Sequence, residues 1–196
     1  IANGTCGADD ASAAAELATA SPYLGEVGLD AGKRGAASIE EQTRAFGRIM
    51  EVVGARVLPG RVISIHASRS TNRVLDILER TGAARNATCI LHWFSGSTDE
   101  LWRAARMGCF FSINEHMLAT KRGREYARIL PDDRLLLETD APPQLGSPYR
   151  LDAIEHSLAS TLEQLAQIRR AHVTTLGAQI VARSMRLLDF ANADCA

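Results

Sequence analysis

Apolar residues in this chain gather in short continuous runs, and stretches of helical spacing lie between them. Leu24–Leu29, Val62–Ile65, Ile90–Phe94, Cys109–Ile113 and Arg134–Thr139 read as strands. Unbroken apolar runs of this length are typical of strands covered on both faces of a parallel sheet. Ala11–Ala20 is helix-favouring up to Ser21-Pro22, where the residue before proline is pushed out of the α region. Ser38 and Glu41 have capping-box spacing, and Ile39, Phe46, Ile49, Met50 and Val53 then recur on one helical face. A second helix follows Ser70, with Val74, Ile77 and Leu78 on one side and Gly82 at its end. Ser97 and Glu100 repeat the capping-box spacing before a helix that runs to about Gly108, and Lys121–Leu130 forms another that stops at Pro131. Pro142, Pro143, Gly146 and Pro148 mark a loop after the last strand. Two amphipathic helices follow, one with Ile154, Leu158, Leu162, Leu165 and Ile168, the other with Val173, Leu176, Ile180 and Leu187.

Strands alternating with helices predict an α/β fold of the TIM (β/α)8-barrel type, with residues 1–196 forming a single domain of about five βα units. The chain has 196 residues, whereas a complete eight-stranded barrel typically takes about 250. The expectation is therefore a barrel lacking about three βα units before its first visible strand, which would leave the strands around Glu26 and Asp140 as unpaired edges.

Four of the strand-like runs end on side chains that bind metals, and the C-terminal strand ends of a parallel barrel share one face. Glu26 lies in an apolar strand, where a lone carboxylate is costly unless paired or bound to a cation. A solvated strand-end Glu or an Arg-paired one stays open as an alternative. His66 and His92 each close a strand, and imidazole is the commonest metal-binding side chain. Either alone also fits a hydrogen-bonded structural histidine; together with carboxylates on neighbouring strands they point to an ion. Asp140 follows the Leu135–Thr139 run and can bind the ion or take a proton from water acidified by it. It also fits the start of the proline-rich turn. Glu138 is expected to point away from the face used by Asp140's neighbours, because strand side chains alternate. Arg69, three residues after His66, is a candidate phosphate contact or a surface arginine at a helix start. His116 is a candidate substrate contact or an ordinary loop histidine, and His156 and His172 read as surface residues.

Composition narrows the function only slightly. Hydrophobic residues make up 46% and charged residues 23%, the proportions of a globular chain rather than a disordered or fibrous one. A net charge of -1 supplies no global field to attract nucleic acid, so a phosphate substrate would need local positive charge such as bound cations. Cys6, Cys89, Cys109 and Cys195 have no C-x-x-C spacing. Cys89 and Cys109 read as buried thiols, which fits a reducing cytoplasm. No apolar run approaches a membrane span, and the first twenty residues lack the basic start of a secretory signal.

The stretches GEVGLD, ISIH, LHWFSGS and LLLETDAPP, in this order and spacing, resemble the TatD-related metal-dependent deoxyribonucleases over about residues 22–190. LHWFSGS followed by GCFFSIN is most similar to the branch found in anti-phage defence systems of the Qat type. The resemblance implies a TIM-like barrel in which two divalent ions (magnesium, manganese or zinc) hydrolyse phosphodiester bonds of DNA, with defence-system proteins as partners. It implies that Glu26 bridges the ions, that His66 and His92 hold the second ion and that Asp140 serves the first. The family's first ion also takes a His-x-His pair from the opening strand, and no residue here corresponds to that pair. Two further readings stay open: a small amide, lactone or phosphoester hydrolase, and a subunit that binds partners without catalysis.

Overall fold

The structure, a computed structural model, describes residues 8–33, 35–141 and 150–192. Its centre is one sheet of five strands: β1 (Tyr23–Asp30), β2 (Val62–Ser68), β3 (Thr88–His92), β4 (Phe110–Ile113) and β5 (Leu135–Leu137). They pair in chain order, every pair parallel. Parallel neighbours require crossovers. The helices supply them: α1 (Ala8–Leu17) before the sheet, then α2 (Ile39–Ala55), α3 (Thr71–Thr81), α4 (Ala83–Asn86), α5 (Thr98–Arg106), α6 (Glu115–Leu118) and α7 (Lys121–Ile129), with α8 (Leu151–Arg169) and α9 (Val173–Asn192) after it. Consecutive parallel strands lying side by side form the arc of a barrel wall. Among the described residues β1 and β5 each have a single strand neighbour.

The two faces of this sheet differ. Along β2, Ile63, Ile65 and Ala67 are buried, whereas Val62, Ser64, His66 and Ser68 are half-buried. The buried set continues through Cys89, Leu91, Phe111 and Ile113 and joins Phe46, Met50 and Val53 of α2 with Val74, Leu75 and Leu78 of α3 in one core. Each of the larger side chains contributes about 1.5–3 kcal/mol by leaving water. The opposite face carries His66, His92 and the other polar strand-end residues, so helix packing on one side fixes the register that presents them on the other. Register supports this reading: Gly28 pairs with His66 and His92 with Ser112, which brings the strand ends level.

Local chemistry explains most element ends. Gly82 caps α3 at φ 73°, a left-handed position that suits glycine. The capping box at Ser97 and Glu100 is present in both directions. The box expected at Ser38 is not, because Ala36–Ser38 forms a 3-10 turn and the Ser38 hydroxyl donates to Gly35 O instead. Buried Gln42 ties this loop together: its amide accepts from Asp30 N and donates to Asp30 O and Gly35 O. The third strand stops at His92 rather than Phe94, since Trp93 (φ 40°) leaves the extended region, and the fifth spans Leu135–Leu137 rather than Arg134–Thr139, with Arg134 taken up in the 3-10 turn Asp132–Arg134. The first helix lies at Ala8–Leu17, three residues earlier than its composition predicts. Cys89 and Cys109 are buried free thiols, and burial pushes both up, Cys109 to about 12. The loop predicted at Pro142, Pro143, Gly146 and Pro148, and the cysteines at 6 and 195, fall outside the described residues. No described helix is long and apolar enough to cross a membrane.

Candidate metal centre

Glu26 from within β1, His66 from the second half of β2 and His92 from the end of β3 meet on one face of the sheet. Glu26 Oε1 lies 2.8 Å from His66 Nδ1 and 2.9 Å from His92 Nε2, and the two ring nitrogens are 3.1 Å apart. Donor atoms bound to one ion at about 2.0–2.1 Å stand about 3.3 Å apart in a tetrahedron, so this triangle fits a divalent cation after a shift of a few tenths of an ångström. These three form the metal-type cluster found among the described residues. The close approach of β1 to β2 depends on Gly28, where a Cβ would lie 2.0 Å from His66 O.

Electrostatics bind the cluster together. Hydrogen bonds from His66 and then His92 keep the Glu26 carboxyl well below the usual carboxylate range, against the opposing effect of burial. Burial alone would lower His92, but its contacts with Glu138 and Glu26 outweigh that and push it up to about 10.

Glu138 is the site residue that sequence reasoning misplaced. Its carboxylate faces the cluster and accepts from four donors: His92 Nδ1 at 3.3 Å, Trp93 N at 3.0 Å, Ser112 Oγ at 2.8 Å and Asn114 Nδ2 at 2.9 Å. The alternation rule does place Glu138 on the same face as Leu136 and opposite Leu137; the error was to take Asp140's neighbours as marking the functional face. Because β5 ends at Leu137 and Asp140 takes a left-handed turn, parity along the strand no longer predicts that residue. Glu138 therefore holds His92 by one ring nitrogen while the other faces Glu26, the arrangement that orients a metal-binding imidazole.

The remaining predicted residues lie around this centre. Asp140 Oδ1 is 4.0 Å from His92 Nδ1, on the Glu138 side of the ring rather than among the three converging donors. Burial raises its carboxyl pKa; Glu138 and Glu26 act in the same direction and His92 opposes them. Arg69, at φ 52°, lines a cleft of about 420 Å3 with Arg122, Ser95, Ser97 and Thr98. Neither arginine pairs with a carboxylate among the described residues, and Glu100 in the same wall is occupied in capping α5. His116 sits in α6, exposed and stacked on Trp93. His156 is exposed on α8 and His172 is exposed between α8 and α9, as expected.

The family model described as TatD related DNase matches residues 8–189. The chain belongs to the TatD family. Curated TatD-family relatives include a 3'-5' ssDNA/RNA exonuclease of Dickeya dadantii, 34% identical over 61% of this chain and 44% of its own. The corresponding exonuclease of Erwinia tasmaniensis is 29% identical over 85% of this chain and 65% of its own. A human deoxyribonuclease is 30% identical over 74% of this chain and 52% of its own. The chain thus spans less than two thirds of the length of these relatives. Among solved structures, a TatD homologue of Escherichia coli superposes with a TM-score of 0.71 at 21% identity, covering 90% of this chain and 69% of that one. A TatD-family hydrolase of Entamoeba histolytica gives a TM-score of 0.70 at 15% identity, covering 83% and 62%. The five-stranded arc therefore has the TatD-type barrel fold.

Proposed function

We propose that this TatD-family chain hydrolyses phosphodiester bonds, with DNA as substrate, at a divalent-metal site held by Glu26, His66 and His92. The convergence of those three donor atoms into one triangle of ion-sized dimensions carries the reading. A divalent ion there supplies positive charge for a phosphate oxygen and lowers the pKa of water. The rest is the work of the chain. Glu26 contributes the anionic donor, His66 Nδ1 and His92 Nε2 the neutral ones, and Glu138 keeps the His92 ring aimed. Asp140, outside the triangle, is the proton acceptor, a role that its raised carboxyl pKa suits. Arg69 and Arg122 receive a neighbouring phosphate in their cleft.

Two imidazoles and one carboxylate suit zinc or manganese better than magnesium, and one such cluster supports a single ion held by the described residues. A cytoplasmic setting is supported by the two buried unpaired thiols. A place among anti-phage defence proteins of the Qat type rests on the LHWFSGS and GCFFSIN wording alone.

The test is cleavage of end-labelled DNA by the purified chain with manganese or zinc added or chelated, beside Glu26→Gln. Chelator-sensitive cleavage that the variant loses is expected. Cleavage that survives both chelation and the substitution would contradict the assignment. Metal binding without any nucleic-acid cleavage would favour small ester or amide hydrolysis at the same centre.

A further inference from the structure

Trp93 occupies an unusual position for its size. It follows the last residue of β3 and lines a cavity of about 240 Å3 with His66, Ala67, Ser68, His92 and Ser95. Its backbone is left-handed, φ 40°. A bulky residue rarely adopts that conformation. The conformation is held from both sides: the Trp93 N–H donates to Glu138 at 3.0 Å, and the next residue, Phe94, is buried edge-on against Phe111. The result turns a large aromatic ring outward, 38% exposed, at the rim of the metal cluster. One of its faces is already backed by the His116 ring, with centroids 5.3 Å apart and planes 25° from parallel.

An aromatic ring kept exposed beside a charged site at the expense of backbone strain is a poor use of apolar surface unless something planar covers it. We infer that Trp93, supported by His116, is the platform on which a nucleobase next to the scissile phosphate stacks. Every base offers a π-face, so such a platform tolerates sequence while fixing where the backbone passes. Ser95 lines both this cavity and the Arg69–Arg122 cleft, which places the phosphate-binding groups one step along the same path. The inference rests on the nuclease reading for its ligand class.

The chain has two tryptophans, Trp93 and Trp102. In a Trp102→Phe background, Trp93 fluorescence reports contact directly. A short single-stranded oligothymidylate and its abasic counterpart are titrated in chelator, so that no cleavage occurs. The base-bearing strand is expected to quench Trp93 saturably and to bind more tightly than the abasic strand. In the otherwise native chain, followed by anisotropy of a labelled strand, Trp93→Ala weakens base-bearing binding about 5- to 100-fold and leaves abasic binding unchanged. Trp93→Phe retains most of the affinity, and His116→Ala loses a smaller part of it. Absence of quenching, or equal loss for both strands in Trp93→Ala, would overturn the inference. The nuclease reading fails separately. Base-dependent binding without metal-dependent cleavage sinks that reading and leaves the platform, whereas cleavage with base-indifferent binding does the reverse.

Discussion

Replacing Glu138 with glutamine keeps the size of the side chain and removes its charge. The glutamine oxygen can still accept from His92 Nδ1, Trp93 N and Asn114 Nδ2, which all bond Oε1 in the wild type. Its amide nitrogen takes the place of Oε2, where the Ser112 hydroxyl donated; that hydroxyl can rotate and accept instead. The fold should therefore lose about 1 kcal/mol at most. The ion site should lose more, because weakening the partner of a metal-binding imidazole typically costs about 10- to 100-fold in affinity. Competition for zinc or manganese against a fluorescent chelator reads this, with thermal melts as the control. Glu138→Ala differs in kind: it strands four donors, three from buried residues and one from the backbone beside the site, and should also cost about 1–3 kcal/mol of stability. A Glu138→Gln protein with wild-type ion affinity would show that the carboxylate merely ties the β5 loop to its neighbours and has no part in aiming His92.

Metal-free stability should peak in mildly acid solution. The Glu26 carboxyl is held below its ordinary 4.5, so its contribution is complete above about pH 4.5 and fades as the pH falls further. His92 is raised from 6.5 to about 10, so its contribution is complete below pH 6.5 and is lost as the pH rises through 10. Both groups belong to one cluster of contacts among Glu26, His66, His92 and Glu138, and melting curves from pH 3 to 10 on metal-free protein should show one optimum, roughly pH 4.5–6.5. A flat profile would contradict the contact. Loading the ion should release a proton from His92 near neutral pH, so affinity should rise with pH, which calorimetry in buffers of different ionisation enthalpy would detect. Gly28→Ala places a methyl against the His66 carbonyl oxygen and should cost about 1–3 kcal/mol, read as a fall in melting temperature, with weaker ion binding because β2 must move.

How far the sequence anticipated the structure depended on whether the decisive signal was local. The helix after Ser97, the left-handed stop at Gly82 and the strand pattern around His66 are written within a few residues, and they fold as read. Glu26, His66 and His92 were legible as candidates because Glu26 interrupts one apolar run, the two histidines close others, and neighbouring parallel strands bring such positions together. The Ser38 box failed because Gln42 offers the loop a tighter set of bonds than a cap would. Glu138 and Trp93 escape the sequence pattern for different reasons. Trp93 lies just beyond a strand whose last residue periodicity cannot locate and owes its direction to a left-handed backbone, whereas Glu138 keeps the parity of Leu136 and is hidden only when Asp140's neighbours are taken to mark the functional face. The signal that could have found Glu138 was its adjacency to Asp140 in LLLETDAPP, two carboxylates at one strand end.

Whether Glu26, His66 and His92 hold an ion decides what this chain does. Bound metal per folded chain, measured by mass spectrometry of the elements after dialysis against zinc or manganese, answers it for the wild type and for His92→Ala. About one ion per chain, lost in a variant that still melts cooperatively, is the predicted result. A well-folded wild type that retains no ion, or a His92→Ala protein that retains as much as the wild type, would contradict it.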